Sequence, residues 1–253
     1  QIIKLPLKRG SHQKILPSLS MLHSKLNINK MLKGKRILIT AGPTKEFIDP
    51  VRFISNASTG KMGYAIAEEL YNEGADVVLV TGPTSIGSKL PREKVVHVKS
   101  ALEMLEVCKK HFQQIDIAIF TAAVADYRPM VTEHSKIKKN DDQMTIELIK
   151  NPDIAYEFGR VKSENQISLG FALETDNIIT YGEGKLKKKN LDFIVLNTTN
   201  EKGEGFGYDT NKISILSKDL SLKHFKLKSK LEVAKDIINE LRGVVAAYSL
   251  EQS

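Results

Sequence analysis

From Arg36 onward the chain alternates short β-branched runs with longer stretches of helical period, and no other feature constrains its fold as strongly. Strands are expected at Arg36 to Thr40, Asp76 to Val80, Val95 to Val98, Asp116 to Thr121, Ile167 to Phe171 and Asp192 to Leu196. Helices fall between them at about Gly60 to Glu73, Ala101 to Phe112, Pro152 to Val161 and Asn177 to Lys187. Each strand-helix unit is short enough for a right-handed crossover, so the fold class is α/β, a Rossmann-like, doubly wound, mostly parallel sheet. Two stretches break the rhythm. Tyr127 to Asp142 is a polar, lysine-rich loop leading into an extended Met144 to Ile149, and Gly203 to Asp209 is glycine-rich ahead of a strand at Lys212 to Leu216. They imply a small β-rich excursion near one edge of the sheet. A final amphipathic run, about Ser229 to Leu241, places Leu231, Ala234, Ile238 and Leu241 on one face and is expected to close the core.

Charge is distributed unevenly. The chain of 253 residues carries 38 Lys and Arg against 30 Asp and Glu, a formal net charge of +8. Ten of those basic residues precede Glu46, where no acidic residue occurs, so the remainder holds 28 basic against 30 acidic groups. The excess belongs to the N-terminal segment, which argues against a nucleic-acid-binding module. Residues 1–33 lack a sustained period and read as a basic tail or linker, as sequence upstream of a start at Met31, or as a transit peptide. The expected organisation is that tail, a domain over 34–245 and a C-terminal tail over 246–253. No apolar run approaches the ~20 residues a membrane span needs. A single cysteine excludes a disulfide framework and fits a reducing compartment, so the expected location is cytoplasmic.

The common sheet motifs are absent. After the first strand, Gly42 is followed by Pro43 and Thr44, and Thr81 closes the second strand where a dinucleotide site needs an acidic residue, which disfavours an NAD(P)-dependent reductase. In Ser58-Thr59-Gly60-Lys61-Met62-Gly63, Met62 stands where a Walker motif needs Ser or Thr. The small residues there still allow close approach of an anion to a helix N-terminus, or simply close packing of a capped helix. Tyr181 and Lys185 have reductase spacing, but Gly182 and Gly184 make a poor helix between them. Cys108 is in register with Leu102, Leu105 and Phe112 and reads as a buried hydrophobe. The histidines show no metal-ligand spacing.

An ordered set of blocks resembles one family. Arg36 to Thr44 leads into Asp49-Pro50-Val51-Arg52-Phe53-Ile54-Ser55-Asn56-Ala57-Ser58-Thr59-Gly60-Lys61-Met62-Gly63. Ala122-Ala123-Val124-Ala125-Asp126-Tyr127-Arg128, Lys136-Ile137-Lys138-Lys139 and Asn151-Pro152-Asp153-Ile154 follow, then Gly170 to Thr175 and Lys185 to Asp192. Together they resemble phosphopantothenate-cysteine ligase in its bacterial CTP-using form, over about Lys33 to Leu241. The resemblance implies a dimeric enzyme of coenzyme A biosynthesis, in many bacteria fused behind a flavin-dependent decarboxylase. It implies that the carboxylate of 4′-phosphopantothenate attacks the α-phosphate of CTP and expels pyrophosphate. The amine of L-cysteine then displaces CMP from the acyl-cytidylate. ATP, used by eukaryotic relatives, is the alternative nucleotide.

The resemblance also implies residue roles. Asn56 would contact the acyl-cytidylate and donate to the developing oxyanion, and Arg52 would reach a substrate held by the neighbouring subunit. Gly42, Ser58, Gly60 and Gly63 would line the nucleotide phosphates, with Phe120, Thr121, Ala122 and Ala123 beside them. Asp126 would orient the intermediate or hold Mg²⁺ against phosphates. Lys136, with Lys138 and Lys139, would neutralise phosphates from a mobile loop that closes over the nucleotide. Pro152, Asp153, Ile154 and Ala155 would recognise the cytosine base, largely through backbone groups, Phe171 would flank the nucleotide, and Lys185 and Lys189 would face the triphosphate. Thr59 departs slightly from the family, where Ser is commoner.

Overall fold

The computed structural model describes residues 30–138, 143–173, 178–197 and 208–251. Its first half runs β1 (Arg36–Ala41), β2 (Lys45–Phe47), β3 (Phe53–Ser55), α1 (Lys61–Asn72), β4 (Asp76–Thr81), β5 (Val95–His97), α2 (Ala101–His111), β6 (Ile117–Phe120) and β7 (Tyr127–Pro129). The second half runs β8 (Leu148–Lys150), α3 (Ile154–Val161), β9 (Ile167–Leu173), α4 (Ile178–Lys188), β10 (Phe193–Asn197), β11 (Thr210–Asn211), β12 (Ile213–Ser217), β13 (Leu222–His224), β14 (Lys228–Ser229) and α5 (Lys230–Glu251).

An eight-stranded sheet in the order β13-β12-β10-β9-β6-β1-β4-β5 forms the core. The six strands from β10 to β5 are parallel, while β12 and β13 extend the β10 side antiparallel. Strand parity explains why the alternation was legible. In β1, Ile37, Ile39 and Ala41 pack with α1 and α5 residues such as Ile66, Leu70 and Ile237, whereas Leu38 packs with Met104, Cys108 and Phe158 of α2 and α3. A sheet covered on both faces needs apolar residues at successive positions, hence near-continuous β-branched runs. Full burial of an Ile or Leu side chain contributes about 1.5–3 kcal/mol. Cys108 is wholly buried, and burial pushes its thiol up to about 12, which leaves it no nucleophile near neutral pH.

Several boundaries differ from expectation. Of the two irregular stretches, only the later one adds to a sheet edge, as β12 and β13. The stretch from Tyr127 begins with a strand, β7, which pairs with β8 in a separate two-stranded ribbon that follows the carboxyl end of central β6. β2 and β3 form a second such ribbon. α5 continues beyond Leu241 to Glu251, so most of the expected C-terminal tail is helical, with Ala246 buried. α4 forms despite its glycines because Gly182 lies against β10, where an added Cβ would stand 2.8 Å from Leu196 Cδ2. The basic N-terminal segment lies outside the described residues, except for its last few, and so does most of the glycine-rich loop before β11.

Candidate functional site

In chain order the six parallel strands fan out on both sides of the β1–β6 pair, which makes their carboxyl ends the topological switch point where open α/β sheets bind ligands. The loops leaving β1 and β6 run side by side there. Thr121 N and Oγ1 both donate to Thr40 O, at 3.1 and 2.6 Å, Ala123 N donates to Gly42 O at 2.9 Å, and Ala125 N donates to Thr44 Oγ1 at 3.0 Å. A bridge between Pro43 and Ala123 continues the pairing beyond the strands.

α1 starts against this seam. Its N-cap is Gly60 at φ 80, a left-handed conformation that costs glycine nothing, and no side chain caps the helix. An added Cβ at Gly60 would stand 3.2 Å from Gly42 Cα, and one at Gly63 would stand 2.6 Å from Ala41 Cβ. The glycines thus allow the helix end to press onto the strand ends. The first turn contains no acidic side chain, so its unpaired N–H groups and the helix dipole present positive potential to the switch point. Ser58 Oγ accepts from Gly60 N at 3.2 Å and shapes the entry turn.

Asn56 is fastened to the same seam from the end of β3. Its Nδ2 donates to Ala123 O at 3.1 Å and to Val124 O at 3.0 Å. The amide nitrogen is therefore engaged by the main chain, and the group that Asn56 can offer a ligand in this orientation is its Oδ1 acceptor, where the expectation from sequence was a donor. Ser55 Oγ donates to Thr44 O at 2.8 Å and anchors the approach to Asn56. Asp126 follows on the β6 loop with an exposed side chain. Asn151, buried, donates from Nδ2 to Ala125 O at 2.8 Å and from its backbone to Asp126 O at 2.8 Å, which locks the Pro152 segment to the site.

Several other expected site residues have their side chains in the core or in local pairs. The Phe120 side chain belongs to the core, with its ring 5.7 Å from that of Phe158. Ile154 and Ala155 have their side chains buried in that core, which leaves for a base the backbone groups expected of them. Phe171 is half-buried and packs on the opposite core cluster. Asp153 N-caps α3 through Tyr156 N at 3.2 Å and pairs with Lys189 Nζ at 3.1 Å, so that lysine is tied to the segment before α3. Lys185 lies on α4, one turn before Lys189. Among the described residues no group of three His, Cys, Asp or Glu side chains could hold a metal by itself. Asp126, as a single exposed carboxylate, fits only a cation held mainly by phosphates.

A second cluster was only half-legible. Asp49 is fully buried and accepts Val51 N and Arg52 N on Oδ1, both at 2.8 Å, and Arg52 Nε at 2.9 Å and Ile137 N at 3.1 Å on Oδ2. Arg52 Nη2 also bonds Asp49 Oδ2 and donates to Ile137 O at 3.0 Å. Arg52 is therefore held in an ion pair beside Lys136 and Lys138, whose own side chains are exposed on the rim of a cleft of about 600 Å³; Lys139 lies outside the described residues. The Asp-Pro-x-Arg order signals an Asx turn, but sequence cannot show the backbone partner 88 positions away.

The Arg52 guanidinium holds the Asp49 carboxyl well below the usual carboxylate range, helped by the N–H groups of Val51, Arg52 and Ile137 against the opposing effect of burial. A depressed folded-state value contributes stability that is complete above the unfolded value of about 4 and is lost as pH falls through the folded one. The melting-temperature gap between the unsubstituted chain and Asp49→Asn should therefore be constant from about pH 8 to 5 and narrow only below about pH 4. A gap that already closes between about pH 7 and 5 in thermal unfolding followed by circular dichroism would contradict this.

A doubly wound sheet whose switch point meets a bare helix N-terminus defines a Rossmann-like α/β domain with an anion-receptive carboxyl edge. The chain belongs to the family of the DNA/pantothenate metabolism flavoprotein C-terminal domain, whose model matches residues 32–244. It is 46% identical over 213 residues to the coenzyme A biosynthesis bifunctional protein CoaBC of Bacillus subtilis, covering 84% of this chain and 52% of that protein. It is 47% identical over 227 residues to a cysteine/cysteine sulfinic acid decarboxylase of an unknown prokaryotic organism, covering 90% of this chain and 63% of that protein. The chain thus spans between about half and two thirds of these relatives. Among solved structures, the C-terminal domain of a coenzyme A biosynthesis bifunctional protein CoaBC superposes with a TM-score of 0.72 at 42% identity, covering 88% of this chain and all of that one.

Proposed function

We propose that this chain is a ligase of coenzyme A biosynthesis that joins 4′-phosphopantothenate to L-cysteine, with CTP as the activating nucleotide. The observation that carries the reading is the switch point, where the bare N-terminus of α1, the paired β1 and β6 loops and Asn56 converge. The similarity to the CoaBC C-terminal domain supports it.

A carboxylate is a poor electrophile, so the chemistry needs two displacements. The phosphopantothenate carboxylate oxygen forms a bond to the α-phosphorus as the bond to pyrophosphate breaks. The cysteine nitrogen then attacks the acyl carbon, CMP departs with the bonding electrons, and the amine loses a proton. The α1 N-terminus and Lys136 suit the phosphates, and Asn56 Oδ1 suits an N–H of the amine. Mg²⁺, held by Asp126 and the phosphates, would supply charge neutralisation. A homodimer is supported by the exposed apolar residues Val51, Phe53, Tyr127, Met130 and Val131 around the two ribbons. A flavin-dependent decarboxylase domain or subunit is the proposed companion and the cytoplasm the proposed location. Among the described residues no helix is long and apolar enough to cross a membrane.

The test is pyrophosphate release with 4′-phosphopantothenate, cysteine and Mg²⁺, run with CTP and with ATP. Release at least about tenfold faster with CTP is the expected result, equal to about 1.4 kcal/mol of discrimination. Preference for ATP would replace the nucleotide, and no release with either would overturn the ligase reading.

A further inference from the structure

The segment after β7 carries the lysines assigned to phosphates, yet Lys136 and Lys138 are exposed and cannot hold their own backbone in place. The β2–β3 connection supplies the hold. Thr132 Oγ1 donates to Phe47 O at 3.0 Å and Glu133 N donates to Ile48 O at 2.9 Å, which lays the start of the segment along the end of β2. Further on, Ile137, between the two lysines, gives its N–H to Asp49 Oδ2 and receives a hydrogen bond on its carbonyl from Arg52 Nη2. Both backbone groups of one residue are thus taken by a single ion pair whose carboxylate is buried.

We propose that Asp49 is a positioning residue which, with Arg52, clasps the backbone of Ile137 and so sets where Lys136 and Lys138 stand for the nucleotide phosphates. The lysine part of this role rests on the ligase reading above; the clasp does not. Asp49 is suited to the role because its turn is built in advance. Oδ1 closes the Asx turn on Val51 and Arg52, which leaves Oδ2 fixed toward Arg52 and the incoming Ile137 N–H. An ordinary loop cation on a flexible backbone would lose entropy on meeting phosphate; a clasped one has lost most of it already. Because the same Nη2 serves Asp49 and Ile137, the geometry also couples Arg52 to the lysine segment.

Asp49→Asn preserves shape but places an NH2 against donors whichever way the amide is turned, either Arg52 and Ile137 or the N–H groups of the Asx turn. The full-length chain carrying this substitution is digested briefly with trypsin at neutral pH, and cleavage after Lys136 and Lys138 is timed against cleavage after Lys226. That reference residue is exposed between β13 and β14 and far from Asp49 in sequence. The expected result is cleavage after Lys136 and Lys138 accelerated by about tenfold or more, the scale of losing hydrogen bonds to a charged acceptor, with cleavage after Lys226 changed less than about twofold. In steady-state ligation, KM for the nucleotide is expected to rise about tenfold while kcat stays within about threefold.

Arg52→Lys provides a second variant that keeps the charge pair but removes the fork that reaches Ile137 O, and it should show the same selective cleavage. Unchanged cleavage after Lys136 and Lys138 in both variants would overturn the clasp, as would an increase no larger than that after Lys226. Selective cleavage in a chain that ligates with neither CTP nor ATP would support the clasp while sinking the ligase reading.

Discussion

Replacing Asn56 by Asp is expected to lower formation of the cysteine conjugate by about 10²–10³-fold while pyrophosphate release from CTP and phosphopantothenate falls less than about tenfold. The two half-reactions separate because they use different parts of the switch point. Activation depends on groups that meet phosphates, namely the α1 N-terminus and Lys136. Amide formation needs the cysteine amine as a free base beside the acyl carbon. An amide oxygen at Asn56 can accept an N–H from that amine without favouring its protonation. A carboxylate in the same place stabilises the ammonium, which has no lone pair to attack with. It also sets negative oxygen against the Ala123 and Val124 carbonyls that Nδ2 now binds, so part of the loss is misplacement of the β6 loop. The electrostatic part has its own signature. Raising the pH from about 7 to about 9 deprotonates the cysteine amine in every variant, and it should raise conjugate formation about tenfold more in Asn56→Asp than in Asn56→Ala. Equal loss of both half-reactions, with no recovery at high pH, would remove Asn56 from the second step.

The strands and helices of the central sheet were legible because each inner parallel strand is buried on both faces, which forces a near-continuous apolar run, while each helix must repeat every 3.6 residues. The same parity could have placed Phe120. It shares a face with Ala118 and Leu38, which look toward α2 and α3, so its ring belongs to the core and not to a ligand. The resemblance placed it beside the nucleotide without weighing the period of two. The short ribbons were less accessible. β2, β3, β7 and β8 each span three residues, too few to show a period, and they are held by pairing and by side-chain bonds to distant main chain. Asn56 was singled out from its motif, yet its orientation depends on two carbonyls 67 and 68 positions away. Asp49 was passed over: its Asp-Pro order could have signalled the local turn, but its long-range partner was hidden for the same reason. Backbone acceptors carry no residue type, so no sequence pattern records them.

Asp192→Ala should cost about 3–5 kcal/mol and lower the melting temperature by roughly 10 °C, the largest stability effect expected outside the apolar core. Its carboxylate is buried where α3, β9, β10 and α5 meet. Oδ2 accepts Lys162 Nζ and Ser168 N, each at 2.7 Å, and Oδ1 accepts Tyr248 OH at 2.6 Å. Lys162 Nζ also donates to Asn190 O at 2.9 Å and Ser168 Oγ at 3.1 Å, so the pair is fully bonded. Burial lowers the Lys162 pKa, and the charge and hydrogen bond of Asp192 act against that shift. Removing Asp192 leaves the ammonium buried without its counter-charge and frees the hydroxyl of Tyr248 from its acceptor, which loosens α5 from the sheet. A buried pair is worth little against a well-packed apolar replacement, so the double substitution Lys162→Met, Asp192→Leu should regain most of the loss. Thermal unfolding of Lys162→Met, Asp192→Leu and the double variant distinguishes the cases. Additive losses in the double variant would mean that the two groups act independently and that the cluster's stability lies in packing around them, not in the uncompensated charge.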